Sequence, residues 1–272
     1  MGRRLTRVRR RIVTETGESS GDRAIPEEAA VALSFNGGTA AVMMATPDDL
    51  EDFAVGFSLT EGIIATPSAI RSLTVVPHDN GVELQMWLDD IDAARLNDRR
   101  RALAGPTGCG LCGIDSLEQA MRPAPSVGRG AEFTPDQVRQ AVASIAPAQT
   151  LNRETRAVHA AAFWHPAEGL VALREDVGRH NALDKLVGAL ARAGRNAAEG
   201  IVVLTSRVSV EMVQKSAVAG AQVIAAVSAP TALAVKTADA AGITLIGIAR
   251  PDGFETFSHG DRIRPEVTSH VA

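Results

Sequence analysis

Two cysteines carry the chemistry that the sequence shows most directly. Cys109 and Cys112 form a C-x-x-C pair, and they are the only cysteines among the 272 residues. This spacing is compatible with a disulfide, with half of a four-ligand metal site, or with a reactive thiol that has a neighbour. A zinc site would need two further ligands, and the six histidines show no H-x3-5-H spacing, so we predict no metal site. A thioredoxin-like dithiol is disfavoured because it belongs to a strand-to-helix junction, whereas glycines flank both cysteines here.

The surroundings of the cysteines favour a carrier of sulfur. Residues 105–113 read G-P-T-G-C-G-L-C-G, with four glycines and one proline, and we expect an exposed, mobile loop there. A thiolate on such a loop attacks the terminal sulfur of a donor persulfide and becomes a persulfide itself. A second thiol nearby could then release that sulfur by forming a disulfide. A dithiol oxidoreductase remains an alternative at this point.

Polar and cationic residues follow four predicted strands in the second half of the chain. In sheets of parallel strands the ligand crevice lies at the carboxyl ends, where helix N-termini and arginines suit a phosphate or diphosphate. The sequence therefore predicts an anion site at this edge of the sheet. The residues after successive strands are Asp176, Gly178, Arg179 and His180; Ser206 and Arg207; Ser228, Pro230 and Thr231; and Arg250, Asp252 and Gly253.

The elements that must position these residues alternate between strands and helices. Helices beginning near Asn181, Val208 and Thr231 separate the later strands, and a capping box at Thr134 and Gln137 opens another helix. This order predicts right-handed βαβ crossovers and a parallel sheet that starts with an antiparallel hairpin. The predicted strands cover 157–164, 170–174, 201–205, 223–228 and 243–249.

The first half of the chain predicts a smaller ββαββ unit. Thr46 is a good N-cap for its helix, with Pro47 at the first helical position. Trp87 and Trp164 lie in strand-like runs and are predicted to be core residues. The two hairpins of the unit are expected over 29–35 with 39–44 and over 73–76 with 82–88.

Composition excludes several classes of protein. A hydrophobic fraction of 45% and a charged fraction of 22% are typical of a globular chain. The net charge of −4 and the presence of only seven Phe, two Trp and no Tyr argue against a nucleic-acid binder that stacks bases. No apolar run approaches the ~20 residues needed to cross a bilayer. Six arginines near the N-terminus precede polar residues rather than the apolar stretch of an export signal, so we expect a cytoplasmic protein.

These signals divide the chain into four parts. We predict a basic, flexible arm over 1–20, a small α+β domain over 21–104, the cysteine-bearing loop and linker over 105–133, and an α/β domain over 134–272. Arg207 is the best single candidate for binding the anion, because an arginine directly after a strand can bind phosphate in two places. Glu211 and Lys215 lie four residues apart on one helix and predict a surface ion pair.

Five blocks of sequence together resemble the formate dehydrogenase accessory sulfurtransferases, the FdhD family. The resemblance implies a homodimer in which a C-terminal three-layer α/β domain of the cytidine-deaminase fold, with a mixed sheet, joins a smaller N-terminal α+β domain. It also implies transfer of persulfide sulfur from a cysteine desulfurase to the bis(molybdopterin guanine dinucleotide) cofactor of molybdenum or tungsten, which formate dehydrogenase then receives. The blocks are G-C-G-L-C-G at 108–113, R-E-D-V-G-R-H-N-A-L-D-K at 174–185, S-R-V-S-V-E-M-V-Q-K at 206–215, S-A-P-T-A-L-A-V at 228–235 and G-I-A-R-P-D-G at 247–253.

The resemblance assigns roles to particular residues. Cys109 matches the family's persulfide-bearing cysteine, and Cys112 matches its partner. Deamination is excluded, because the helix at His180 lacks the glutamate of H-x-E and no P-C-x-x-C opens the next helix. The cofactor is thus a bound substrate rather than a permanent group, and a non-catalytic chaperone that binds and inserts it is the alternative. The cofactor-binding segment of the family falls on Ile248, Ala249, Arg250, Pro251, Asp252 and Gly253, and we place Arg179, His180, Arg207 and Ser228 beside it.

Overall fold

The computed structural model describes residues 3–89 and 122–264. Cys109 and Cys112 lie outside these ranges. So do residues 105–113, for which a mobile loop is expected. The described residues form a two-stranded, a four-stranded and a six-stranded sheet. Within these ranges no helix is both long enough and apolar enough to span a bilayer.

The arginine-rich N-terminus forms a β-hairpin rather than the flexible arm expected from its charge. Strand β1 (Leu5–Thr14) pairs antiparallel with β2 (Gly17–Pro26) along their full length. The reason is that the strand contains β-branched valine, isoleucine and threonine as well as arginines, and β-branched residues favour strands. The base of the hairpin is fixed to the body because the Arg23 guanidinium donates to the Thr155 carbonyl at 3.0 Å and Ala24 is buried.

The predicted ββαββ unit is confirmed. Strands β3 (Ala29–Phe35), β4 (Gly38–Ala45), β5 (Ile70–His78) and β6 (Gly81–Leu88) form a sheet in the order β4-β3-β6-β5, and helix α1 (Leu50–Thr60) covers one face. The prediction that Trp87 is a core residue is wrong, since its side chain is 54% exposed. Alternate residues of β6 face α1, so the strand places Trp87 on the opposite face. The core of the unit contains Val31, Leu33, Phe35, Phe53, Phe57, Leu84 and Met86.

The sequence predicts Thr46 as the N-cap of α1, but this prediction is wrong. The helix begins at Leu50, after Asp49 in a left-handed conformation with φ 51°. Thr46 is buried instead, where its amide donates to Asp176 Oδ2 at 3.0 Å and its hydroxyl accepts from the Val177 amide at 3.1 Å. A threonine, which is a residue type that favours helix caps, therefore joins the two halves of the chain.

The C-terminal half is a three-layer α/β structure. Its sheet has the order β12-β11-β10-β9-β7-β8, in which β9, β10 and β11 are parallel and the other pairings are antiparallel. The predicted alternation of strands and helices is confirmed, Trp164 is buried as predicted, and β12 is an additional strand that the sequence analysis missed. The strands are β7 (His159–His165), β8 (Gly169–Asp176), β9 (Ile201–Leu204), β10 (Val223–Ala226), β11 (Thr244–Arg250) and β12 (Gly253–Ser258).

Helices cover both faces of this sheet. Helix α2 (Pro135–Ala143), which opens with the predicted capping box, packs on one face together with α3 (Ile145–Ala148), and α4 (Thr150–Thr155) follows. The other face carries α5 (Arg179–Arg192), α6 (Val210–Val218) and α7 (Ala232–Ala241). The finer likeness to the cytidine-deaminase fold stays a prediction.

Helices α1 and α5 join the two halves through a glycine contact. A Cβ atom on Gly56 would lie 1.7 Å from the Asp184 carbonyl oxygen, and one on Gly188 would lie 1.9 Å from the Asp52 carbonyl oxygen. Only hydrogen atoms fit at such distances, so the backbones of the two helices touch directly. The position of the N-terminal unit on the C-terminal sheet depends on this contact.

We expect Gly56→Ala to destabilise the protein, although alanine is the better helix former. The new methyl group must push α1 away from α5, and overpacking of this kind costs about 1–3 kcal/mol of the free energy of unfolding. Urea denaturation measures the change. Gly21→Ala is the matched control, because a Cβ there meets nothing closer than 4.0 Å. Equal stability of the two variants would contradict a backbone contact at Gly56.

Candidate functional site

The predicted site residues lie along one edge of the six-stranded sheet, which we call the rim. Strands β8, β9, β10 and β11 run in the same direction, so their carboxyl ends share this edge, and the antiparallel β7 contributes its first residue, His159. With neighbouring strands about 4.8 Å apart, the rim from β11 to β8 spans about 19 Å. The structure therefore places Arg179, His180, Arg207, Ser228 and the segment 248–253 on one edge.

The β11–β12 end of the rim is built on a strained backbone. Ile248 has a φ of 51° and an exposed side chain, which is a rare conformation for a β-branched residue. Its amide donates to the Ser228 carbonyl at 3.2 Å, and the pairing of β11 with β12 is irregular around it. A Cβ on the preceding Gly247 would lie 2.9 Å from Pro230 Cδ and from the Phe257 ring. The strain therefore directs the Ile248 side chain into solvent beside Ser228.

Arg250 has a different environment from the one the sequence suggested. Its guanidinium donates to the carbonyl oxygens of Val227 and Ala249, which ties the end of β11 to the loop after β10. Pro251 and Asp252 are exposed in the turn that leads to Gly253, and Ala249 is buried. Of the six residues in the segment, Arg250 thus shapes the loop, whereas Ile248 and the turn face solvent.

The middle of the rim consists of two paired loops. The Val208 amide donates to the Ala229 carbonyl at 3.3 Å, and the Thr231 amide donates to the Val208 carbonyl at 2.9 Å. Ser206 is buried, and its hydroxyl donates to the Arg207 carbonyl at 3.1 Å. The Arg207 side chain is exposed and makes no hydrogen bond or ion pair within residues 3–89 and 122–264. It is therefore available for a ligand at the centre of the rim.

The α5–α6 end of the rim contains a histidine–glutamate pair. His180 Nε2 lies 2.9 Å from Glu211 Oε2, and each side chain is only 12% exposed. The predicted surface pair of Glu211 with Lys215 is wrong. Helix α6 is buried along most of its length, so Lys215 binds Asp184 instead and Glu211 faces the start of α5.

His159 places a further titratable group at this end. Burial lowers the pKa of its half-buried imidazole, and the charge of Arg179 lowers it further, against the opposing effect of Asp176. The charge of His180 also contributes to the lowered pKa. These groups interact electrostatically, so His159, Arg179 and His180 form one cluster. His159 was not among the predicted site residues, because no recognisable motif surrounds it in the sequence.

A buried network fixes the start of α5. Asp176 Oδ1 accepts from the Gly178 amide at 2.7 Å and from Asn181 Nδ2 at 3.1 Å. Asp176 Oδ2 lies 2.6 Å from Lys185 Nζ, which also donates to the Thr46 carbonyl at 2.9 Å. Both charged side chains are fully buried. The charge of Asp176 is therefore already compensated, and this residue holds the rim rather than binding a ligand.

One cavity in the described part of the chain lies away from the rim. It has a volume of about 570 Å³ and is lined by residues of α1, α5 and α6 together with Arg122 and Pro123. These residues come from the C-terminal parts of α5 and α6, whereas the rim is at their N-termini. Arg122 is the first described residue after the cysteine-bearing segment, so the cavity lies beside the C-terminal end of that segment. No group of three or more potential metal ligands occurs in the ranges that are described.

Similarity to known proteins decides which family this is. The model of the FdhD/NarQ family matches residues 26–264. The chain belongs to the FdhD/NarQ family. It is 56% identical over 258 residues to the sulfur carrier protein FdhD of Agrobacterium fabrum, which covers 94% of this chain and 95% of the relative. The corresponding protein of Bordetella petrii is 48% identical over 261 residues, covering 96% and 92%.

A solved structure supports the FdhD/NarQ fold. The crystal structure of a putative formate dehydrogenase accessory protein from Desulfotalea psychrophila superimposes with a TM-score of 0.77 at 23% identity, covering 96% of this chain and 99% of that one. The FdhD/NarQ match includes the rim and the positions of both cysteines, whereas almost all of the β1–β2 hairpin precedes it. The resemblance drawn from the five sequence blocks is confirmed.

Proposed function

We propose that this protein is a cytoplasmic sulfur carrier that acts as a homodimer. It accepts persulfide sulfur from a cysteine desulfurase on Cys109 and delivers it to the bis(molybdopterin guanine dinucleotide) cofactor of molybdenum or tungsten, which is then used by formate dehydrogenase. The observation that carries this proposal is the C-x-x-C pair inside the FdhD/NarQ match, since the relatives are named sulfur carrier proteins. In the cytoplasm both thiols stay reduced and available.

The two cysteines divide the chemistry between them. The Cys109 thiolate attacks the outer sulfur of the donor persulfide, a new S–S bond forms on Cys109, and the donor cysteine leaves as a thiolate. The Cys112 thiolate then attacks Cys109 Sγ, and sulfide leaves with the electron pair of the broken S–S bond. The metal of the cofactor would accept the sulfide as a ligand. Two equivalents of an external thiol would then reduce the Cys109–Cys112 disulfide and leave as their own disulfide before the next cycle.

The rim supports the cofactor half of the proposal. Its free Arg207, its helix N-termini and the exposed segment at Ile248 form a cationic edge about 19 Å long. The guanine dinucleotide arms of the cofactor carry diphosphates, which such groups bind through charge-assisted hydrogen bonds. We place one guanine dinucleotide on Ile248, Ala249, Arg250, Pro251, Asp252 and Gly253, with Ser228 and Arg207 beside it.

Chain length allows the cysteines to reach this edge. Cys112 precedes Arg122 by ten positions, which corresponds to at most about 33–36 Å of extended chain. The Arg122 carbonyl accepts from Gln214 Nε2 at 2.6 Å, and Gln214 lies five residues after Ser209, or about 7.5 Å along α6. The tether is therefore longer than the distance along α6 that it must cover.

Mass spectrometry tests the first step. After incubation of the full-length protein with a cysteine desulfurase and cysteine, we expect an adduct of about 32 Da on the peptide that contains Cys109. A sample without the desulfurase should lack it. If the protein stays unmodified under conditions in which the desulfurase itself is persulfidated, the non-catalytic chaperone becomes the better explanation.

A further inference from the structure

We infer that two copies of this chain pack together through the uncovered face of the four-stranded sheet. The inference rests on the proposed function, because it gives the proposed homodimer its interface. Helix α1 covers one face of this sheet, and we call the opposite side the outer face. The strand registers place on it the side chains of Ala30, Ala32, Val42, Met44, Gln85 and Trp87.

The outer face has apolar residues at positions where a water-facing strand is normally polar. In a sheet with one solvated face, apolar and polar residues alternate along each strand. Strand β4 instead presents Val42 and Met44 outward, and their side chains are 50% and 51% exposed. The register pairs Met44 with Ala30 and Val42 with Ala32, so these four residues form one contiguous apolar patch. Contiguous exposed patches of this kind mark interaction sites.

Trp87 adds an aromatic side chain at the other end of the outer face. It lies opposite Ser72 in the register and has more than half of its side chain exposed. Val42 and Trp87 are separated by two strand spacings and by four residues along the strand direction, which is about 17 Å. Tryptophan is enriched among the residues that dominate the energy of protein–protein interfaces. Each copy therefore carries an apolar patch and an aromatic anchor at opposite ends of one face.

This arrangement is complementary to itself. In a two-fold dimer, a residue of one copy contacts a second residue of the other copy, and the reverse contact is made as well. A two-fold axis through the middle of the outer face places the Trp87 ring of each copy on the Val42 and Met44 patch of the other. The short side chains of Ala30 and Ala32 leave space for the ring, and side chains of two packed sheets interdigitate in this way.

The polar groups between the two ends have partners within the sheet. Glu83 Oε2 accepts from Gln85 Nε2 at 2.9 Å and lies 3.4 Å from His78 Nε2. The hydroxyls of Ser34 and Thr39 are hydrogen-bonded to each other at 3.2 Å. A polar group that is buried without a partner is costly. These hydrogen bonds therefore lower the cost of covering the outer face with a second copy.

The size of the outer face fits a dimer that dissociates measurably. Four strands at a spacing of about 4.8 Å are about 19 Å wide, and the eight residues of β6 extend about 27 Å. Each copy thus contributes about 500 Å², and the pair buries about 1,000 Å², which is about the minimum for a specific interface. We therefore expect an equilibrium between monomer and dimer that dilution can shift.

Analytical ultracentrifugation of the full-length protein tests the interface. We expect Val42→Lys to raise the dimer dissociation constant at least about a hundredfold, because the two-fold axis buries the new charge twice. Edge strands such as β4 tolerate lysine, so the fold should persist. Val13→Lys is the matched control, since Val13 is 66% exposed on the β1–β2 hairpin, and it should change the constant less than about twofold. Equal constants in the two variants would overturn the inference.

Tryptophan fluorescence reports on the outer face directly. The chain has two tryptophans, and Trp164 is buried, so Trp87 is the one that changes its environment on dimerisation. We expect the wild-type dimer to emit at shorter wavelength than monomeric Val42→Lys. A dimer that emits at the same wavelength as this monomer packs through another surface. A wild-type monomer that emits at the shorter wavelength has the face covered from within one chain. Either result rejects the inference.

A pair of opposite charges tests the two-fold arrangement. Trp87→Lys and Val42→Glu should each give monomers, whereas the double variant should recover part of the dimer at low salt, because each new lysine then faces a new glutamate across the axis. The two positions are about 17 Å apart within one copy, so an ion pair inside one chain does not explain recovery. A double variant that stays monomeric would overturn this arrangement.

Failure of the interface can be told apart from failure of the proposed function. Sulfur loading of Cys109 does not involve the outer face, so it should persist in Val42→Lys. If the wild type is a dimer that Val42→Lys does not dissociate, the interface is wrong and the homodimer stands. If the wild type is a monomer, the interface and the homodimer are both wrong. If Val42→Lys dissociates the dimer but Cys109 never receives sulfur, the interface stands and the sulfur carrier is wrong.

Discussion

Replacing Cys109 by alanine should reduce sulfur delivery to the cofactor to the level measured without the protein. The reason is that the persulfide has no other attachment point, since Cys112 is the only remaining cysteine and the proposed route uses it to release sulfide. Transfer of radiolabelled sulfur from a desulfurase to the cofactor measures the effect. Guanosine diphosphate affinity serves as a check, because the rim is unchanged in this variant.

Cys112→Ala is the matched control for Cys109→Ala. It should still accept sulfur on Cys109 but release it more slowly, since an external thiol must then replace the Cys112 thiolate. Wild-type delivery by Cys109→Ala would reject the carrier and favour the chaperone that only binds and inserts the cofactor. Reduction of generic disulfides by the wild-type protein would instead favour the dithiol oxidoreductase.

Local signals explain which parts of the fold could be predicted. The hairpin of β3 and β4 follows from Asn36 and Gly37, whose φ angles of 48° and 78° match the turn that such a dipeptide favours. The capping box at Thr134 likewise fixes the start of α2 through contacts three residues apart. Because the strands ended where expected, the rim residues could be placed on one edge before their contacts were known.

Long-range contacts explain what could not be predicted. Thr46 has the local pattern of a helix cap, but its partner Asp176 lies 130 positions away. Lys215 has the local pattern of a surface pair with Glu211, yet the packing of α1 against α5 and α6 buries it. The strain at Ile248 also depends on the neighbouring strand and loop. In each case the residue type permits two environments, and only the tertiary structure selects one.

The burial of Lys185 and Lys215 could have been predicted from the sequence. Lys185 lies between Asp184 and Leu186 on α5, and Lys215 lies between Gln214 and Ser216 on α6; both helices are otherwise largely buried. A lysine on the apolar side of a helix requires a buried counter-ion, because an unpaired buried charge is costly. Each of these lysines binds both a carboxylate of the C-terminal half and an oxygen of the N-terminal unit. They therefore act as two clamps between the halves.

Lys215 forms the clamp at the end of α1. Its ammonium lies 2.9 Å from both carboxylate oxygens of Asp184, 2.9 Å from Glu61 Oε1 and 3.0 Å from Thr60 Oγ1. Burial alone would lower the pKa of Lys215, but the two carboxylates outweigh it and the net pKa is raised. Arg122 donates to the Thr60 carbonyl at 3.1 Å. This cluster therefore also fixes Arg122, the first described residue after the cysteine-bearing segment.

We expect Lys215→Met to lower the free energy of unfolding by about 3–5 kcal/mol, because it leaves the Asp184 carboxylate buried without its partner. This is a large part of the 5–15 kcal/mol that is typical of a whole domain. Urea denaturation measures the loss, and Lys236→Met on the exposed side of α7 is the matched control, with an expected change within about 0.5 kcal/mol.

The double variant Lys215→Met with Asp184→Leu decides the physical reason for that loss. If the cost comes from an uncompensated charge, removing both partners should recover most of the stability, as it does when buried ion pairs are replaced by apolar groups. If the double variant is less stable than Lys215→Met alone, the remaining hydrogen bond from Thr60 to Asp184 contributes more than the unpaired carboxylate costs to bury. Full stability of Lys215→Met by itself would show that no clamp exists at the end of α1.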